Sequence, residues 1–450
     1  MGQNICGWPI FESQGEIRMI SNLLNALKNN NKLYAWNMRF VEKNSHQLFF
    51  IKQELDMNRE VKVTEYYVKI FVKERDGKIG GASFMIYPSM SIEEVDAKIK
   101  EQIKLCKYTA DKPFVMPKKA NLKPVSKEVG FNGYSLKEAA FIAADTLFEA
   151  DKFDKGYINS SEIFINHIET RFYDSNDNIF VYTQEEGQIE FVVTWAEKGQ
   201  EVELYKFIEF DRLDSNFIQQ QASNMLLEAS NRFKAQPTPE LNNYKLLLTG
   251  EYVKELFSHF VYKTSVDAIY SHSSNFDTGT HIQENSKESD LINIRLEPTL
   301  KGSTKGSPFD KDGVALKKIH IIEKGVVKNL WGSNNKSQYL NKPVYGCYQN
   351  VVVGSGTLEN SDLEDENYIE VISLSGFEVD SITGDFGSEI RLAYLHTKNK
   401  ERQIITGGSI SGNIYESLSS IRFTNETEQM NNYIVPKKVL LENVSVTGAK

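Results

Sequence analysis

The sequence predicts an α+β protein: two N-terminal α+β domains, then a mostly β, barrel-like C-terminal domain. Three observations predict it. Helical and strand periodicities alternate as far as residue 236, and two helices open on a capping box. From residue 240 onward short alternating segments are separated by Gly, Asn and Asp turns.

Taken in order, Phe11 to Lys28 places Ile17, Ile20, Leu23, Leu24 and Leu27 at helical spacing. Val61 to Phe71 alternates like a half-buried strand, and Asp76-Gly77 follows as a hairpin turn. Ser91 with Glu94 starts a helix that runs to Cys106. Pro113, Pro117 and Pro124 with several lysines mark a linker between a domain at 1–112 and one at 134–236. In that second domain Ser135 with Glu138 starts a helix through Ala150. Strands are expected at Ile158–Ile168, Asn178–Thr183, Gln188–Thr194 and Glu201–Phe210, then a helix from Ser215 to about Phe233. Pro237-Thr238-Pro239 closes the domain. The third, 240–450, reads as short strands interrupted by helices at Tyr252–Lys263 and near Asn413–Ser420. The acidic stretch Asn360 to Asn367 reads as a solvated loop.

With 40% hydrophobic and 25% charged residues, the composition is that of a globular protein. No apolar run reaches membrane-spanning length, and Met1 to Cys6 lacks the basic-then-apolar pattern of a signal peptide. Three widely spaced cysteines, Cys6, Cys106 and Cys347, fit a reducing compartment, so a cytoplasmic location is expected. A net charge of −9 without a basic stripe disfavours nucleic acid, whose binding rests on phosphate neutralisation. There is no P-loop, GxGxxG, GxSxG or His-x₃-His.

The block Ser375-Gly376-Phe377-Glu378-Val379-Asp380-Ser381-Ile382-Thr383-Gly384-Asp385-Phe386, followed by Thr406-Gly407-Gly408-Ser409-Ile410-Ser411-Gly412-Asn413, resembles the signature of the TldD/PmbA (TldD/TldE) family of zinc-dependent peptidases. Leu246-Leu247-Leu248 leading into the following helix is similar to that family's strand entering its metal helix. Asp310 to Asn329 is similar to one of its hairpins, and Val439 to Gly448 to its closing strand. These blocks occur in the family's order. Members are often called gyrase modulators, but no residue pattern here supports DNA contact.

The resemblance implies one of two subunit types. One type carries HExxxH, two imidazole ligands and a Glu base on one helix, with a Cys near the C-terminus; the other, the TldE or PmbA type, does not. Ligands five residues apart stand roughly 140° apart on a regular helix, so that helix must widen locally to converge them. In this sequence Ser258 and Lys263 fall at the imidazole positions and His259 at the Glu, and Phe423 to Leu441 contains no Cys. An ammonium repels a divalent cation. The expectation is therefore no catalytic residue, no metal ligand and no cofactor in this chain, with zinc in a TldD-like partner.

Substrate-cleft candidates are Ser375, Gly376, Gly384, Asp385 and His259. The glycine-rich segment is first a hairpin turn with φ > 0 at Gly384. Functionally it could let a peptide approach and pair as an added strand. His259 reads first as a helix-surface histidine. The Val253, Leu256, Phe257, Phe260 and Val261 stripe is core. The leading expectation is a TldE/PmbA-like subunit of a peptidase complex acting on small or unfolded peptides. The alternative is a non-catalytic peptide-binding or scaffold homodimer. The least favoured is a hydrolase with a relocated site built from His259, His272 or His281.

Overall fold

The structure, a computed structural model, describes residues 14–126, 130–131, 133–284, 288–399 and 401–449. The expected helix start at residues 11–13, Cys6 and part of the linker lie outside them. Two compact units form. The first comprises residues 1–43, 62–124 and 169–181, the second 44–61, 125–168 and 182–450. The chain passes between them within four long strands, Ala35–Ile51, Glu54–Lys73, Gly156–Asp174 and Ile179–Glu197, and again at 124–125.

In the first unit, Glu54–Lys73 pairs antiparallel with Ile79–Ile86 from Tyr66↔Ile86 to Lys73↔Ile79. Gly77, at φ 88°, makes the turn. Helices Gln14–Lys28 and Ile92–Leu105 bury Leu23, Leu27, Val95 and Ile99 against Met38, Phe40, Tyr66 and Ile70. The Ser91–Glu94 capping box forms in both directions, as the sequence requires.

Two large apolar clusters organise the second unit. In one, helices Leu136–Phe148 and Ser215–Lys234 cover Ile163, Ile165, Phe191 and Phe210. Here the expected strands Asn178–Thr183 and Gln188–Thr194 are one strand, Ile179–Glu197, paired with Gln200–Phe210 from Gly187↔Phe210 to Glu197↔Gln200. Gly187 lies inside Ile179–Glu197. A Cβ there would stand 2.1 Å from the Phe210 ring, so its glycine makes room for close packing within a continuous strand.

The other cluster fills a closed barrel. Strand Tyr368–Leu374 pairs parallel with Leu241–Thr249, which pairs antiparallel with Lys438–Thr447. The latter pairs with Ser409–Asn413, that strand with Asp385–His396, and Asp385–His396 with Tyr368–Leu374, closing the ring. A six-stranded sheet joins the same core. Its order is Val326–Val327, Ile319–Glu323, Ile294–Glu297, Asn350–Val353, Tyr433–Pro436, Thr427–Met430. The stripe Val253, Leu256, Phe257, Phe260 and Val261 is buried against it. The helix near Asn413–Ser420 is a single turn, Ile414–Ser417, and short helices at Val266–Tyr270 and Asn334–Tyr339 add to those expected. No helix among the described residues is long and apolar enough to cross a membrane.

Candidate functional site

The helix Glu251–Lys263 leaves strand Leu241–Thr249 through Gly250, whose φ of 57° turns the chain sharply. It is α-helical throughout, so its side chains keep regular helical directions. The three residues at the metal-helix positions accordingly find three different partners. Ser258 Oγ donates to the Lys254 carbonyl at 2.9 Å and lies 3.1 Å from the Tyr433 hydroxyl. His259 Nε2 lies 2.8 Å from the Tyr415 hydroxyl. Lys263 Nζ donates to the Ser273 carbonyl at 3.2 Å and sits 5.6 Å from the centre of the Phe276 ring.

His259 is 4% exposed, so it is a core residue rather than a helix-surface one. Burial, with the nearby Lys263 charge and against the pull of Asp380, takes its pKa down to about 4. The imidazole is therefore neutral at physiological pH. Its Nδ1 is buried without a hydrogen-bond partner among the described residues. Lys263 is also 4% exposed, and burial lowers its pKa while Asp380 opposes the shift. A neutral imidazole engaged by a phenol, a hydroxyl engaged by a second phenol and a lysine aimed at a carbonyl are not a zinc donor set. Among the described residues no group of three or more His, Cys, Asp or Glu side chains is placed to hold a metal ion. No hydrogen bond, ion pair or ring contact among the described residues joins His259 to His272 or His281, both exposed.

The candidate block folds as a hairpin. Glu378–Val379 pairs with Asp385–His396 through Glu378↔Gly387 and Val379↔Phe386. Asp380 closes the turn: its backbone N–H donates to the Asp385 carbonyl at 2.7 Å, and its carboxylate accepts from the N–H groups of Ile382 and Thr383 at 2.9 and 2.7 Å. Those bonds hold the carboxylate below its ordinary pKa. Gly384 has φ 78°, as the turn reading requires. A Cβ at Gly384 would also lie 2.6 Å from the Tyr415 ring. Asp385 Oδ1 accepts from Asn413 Nδ2 at 2.7 Å, and Asn413 Oδ1 caps the next turn by accepting from the Tyr415 N–H at 2.9 Å. The Asn413 amide and the neighbouring Thr383 hydroxyl keep the Asp385 pKa low.

Three of the five candidates thus meet on one ring. His259 and Gly384 touch Tyr415 directly, and Asp385 reaches its backbone through Asn413. Ser375 and Gly376 lie at the other end of the hairpin and are exposed. The Ser375 N–H donates to the Glu389 carbonyl at 3.0 Å, and nothing lies within 4 Å of a Cβ at Gly376. The second edge of Glu378–Val379 has no strand partner among the described residues. Sequence reasoning missed Tyr415, Tyr433 and Asp380. Asp380 carried a signal, a turn-forming Asp two residues before Ile382; the tyrosines, 156 and 175 residues from their partners, carried none.

Comparisons with known proteins agree with this architecture. Residues 241–448 match the family model of the PmbA/TldA metallopeptidase C-terminal domain. A metalloprotease of Methanocaldococcus jannaschii is 24% identical over 236 residues, 47% of this chain and 49% of that protein. A second protein of that organism, functionally uncharacterised, is 27% identical over 160 residues, 33% of this chain and 38% of its own length. The chain therefore spans about half the length, or less, of these curated relatives. TldE from Thermococcus kodakarensis superposes with a TM-score of 0.75 at 16% identity, covering 96% of this chain and 100% of that one. A candidate DNA gyrase modulator from Thermotoga maritima gives 0.76 at 16% identity, with 96% and 100% coverage. Another from Bacteroides thetaiotaomicron gives 0.76 at 18%, with 97% and 99% coverage. At such identities the structural likeness establishes the fold.

Proposed function

We propose, from the TldD/PmbA family to which this chain belongs through residues 241–448, that it is a TldE/PmbA-type subunit of a cytoplasmic zinc metallopeptidase complex. Zinc and catalysis come from a TldD-like partner, and the substrates are small or unfolded peptides. The observation that carries this reading is the fate of the Glu251–Lys263 helix. Its metal-ligand positions hold Ser258 and Lys263, which are engaged separately with Tyr433 and Ser273. The similarity to TldE of Thermococcus kodakarensis supports the same subunit type.

The contribution of this chain is to shape the cleft. The edge of Glu378–Val379 that is unpaired among the described residues, with exposed Ser375 and Gly376 beside it, offers backbone N–H and C=O groups to an extended peptide. The same edge supports the second reading, a non-catalytic peptide-binding or scaffold homodimer, because strand addition needs no chemistry.

One set of assays separates the two. The purified chain should hold no stoichiometric zinc after dialysis and should not hydrolyse an unstructured peptide. Mixed with a TldD-like partner, it should raise cleavage that chelators abolish. Peptide binding with no gain from any such partner moves the assignment to the second reading. One tightly held zinc per chain, or chelator-resistant hydrolysis by the chain alone, overturns both.

A further inference from the structure

The outer face of the six-stranded sheet carries a groove of about 550 Å³ that the reading above leaves unused. Along these strands alternate residues point inward. Ile294, Ile321, Val327, Val351 and Val353 enter the core. Arg295 lies between His320 on one neighbouring strand and Val352 on the other, so these three form a row across the outer face. Val352 is only 5% exposed and, with Val326, gives the groove an apolar floor.

The rim is cationic on a chain whose net charge is −9. Lys324 and Lys328 line the groove, and neither has a salt-bridge partner among the described residues. Arg295 and Lys318 share the single carboxylate of Glu297, at 2.9 and 3.5 Å. The local acid, Glu323, lies 3.4 Å from His320. Positive charge is therefore left over.

The rim is also fixed in place. Lys324 and Gly325 form the two-residue tip between Glu323 and Val326, at φ 47° and 69°. Asn or Asp is the usual residue at the first such position, because its short polar side chain hydrogen-bonds the local backbone in the left-handed region. The Lys324 N–H donates to Asn293 Oδ1 at 2.8 Å. The Asn293 carbonyl in turn accepts from the Gly354 N–H at 2.8 Å, which ties the tip to the opposite wall.

We infer that this groove binds acidic peptide segments, with carboxylates on Lys324, Lys328 and Arg295 and an apolar side chain on Val326 and Val352. It would bias the peptides presented to the complex toward Glu- and Asp-rich ones, and in that sense it rests on the peptide-processing reading. A groove of this volume matches a short segment. A nucleic-acid duplex would need an extended basic stripe, which the chain lacks.

The test is calorimetric titration of the full chain with a capped hexapeptide of alternating Glu and Leu, and with its Gln-for-Glu counterpart. The Glu peptide should bind in a salt-sensitive manner and the Gln peptide at least about tenfold more weakly. The Lys324→Glu/Lys328→Glu double variant, with an unchanged melting temperature, should lose at least about tenfold for the Glu peptide through like-charge repulsion. Equal binding of both peptides, an unaffected double variant, or tighter binding of a short DNA duplex overturns the inference. Because no partner or cleavage is involved, a failed titration leaves the subunit assignment standing. Groove binding without partner-dependent cleavage does the reverse.

Discussion

The helix Glu251–Lys263 and the hairpin around Asp380 belong to the same barrel and meet on the same tyrosine, yet they are finished differently. On the helix, the positions that could carry chemistry are closed: His259 and Lys263 are buried, each on its own partner, and Ser258 is tied to its own helix and to Tyr433. On the hairpin, Ser375, Gly376, Asp380 and Ile382 remain in solvent, and a strand edge is unpaired among the described residues. The contrast shows how two neighbouring segments of one barrel differ when the side chains of one find internal partners and those of the other do not. A catalytic helix must leave a coordination position open, whereas a helix without ligands is free to pack. At Gly376 the hairpin has no neighbour to pack against and stays exposed.

Substitutions can break this comparison. The largest effect is expected at the junction. Gly384→Val forces a β-branched residue to φ 78° and drives its Cβ into the Tyr415 ring. It should lower stability by about 3–4 kcal/mol, read from chemical denaturation. A loss under about 1 kcal/mol would mean that the hairpin and Tyr415 are not packed as described.

The next effect depends on pH. His259 has a folded pKa of about 4, below the ordinary 6.5, so the unfolded chain binds the extra proton between those values. Stability tied to the neutral imidazole is therefore full above about pH 6.5 and falls as pH drops toward 4. Relative to His259→Gln, the native chain should lose about 2–3 kcal/mol across that window. Asp310 works in the opposite sense: burial, and the neighbouring Asp312, raise its carboxyl to about 6, so acidification favours its folded form. The comparison with His259→Gln cancels that contribution. Parallel stability curves for the two proteins would show that His259 is hydrated and the helix open.

The smallest effect on stability is expected at the open end. Ser375→Trp sits where nothing packs and should change stability by less than about 0.5 kcal/mol. It should nevertheless reduce peptide cleavage by the mixed complex several-fold. Full activity in the folded variant would leave the hairpin as a structural element alone.

Much of this contrast was legible beforehand because it rests on local rules. The capping boxes at Ser91 and Ser135, the core stripe from Val253 to Val261 and the left-handed Gly384 are each set by residues a few positions apart. What could not be read depends on distant partners. His259 has the spacing of a surface residue until Tyr415 is placed beside it. Strand Ala35–Ile51 escaped recognition because buried Asn37, Ser45 and His46 break its apolar alternation. The two strands expected at Asn178–Thr183 and Gln188–Thr194 are one, and Gly187 between them makes room for the Phe210 ring.

Barrel closure has a kinetic consequence. Strand Leu241–Thr249 takes its two neighbours from Tyr368–Leu374 and Lys438–Thr447, more than a hundred residues downstream. Ring closure must bring these distant segments together, and such non-local pairing slows folding. During synthesis Leu241–Thr249 has no native strand neighbour until residue 374 has emerged, and the ring cannot close until residue 447 has. The apolar run Leu246-Leu247-Leu248 meanwhile lacks both of its strand neighbours. This interval is where the nascent chain is most prone to aggregate and where a chaperone would be needed.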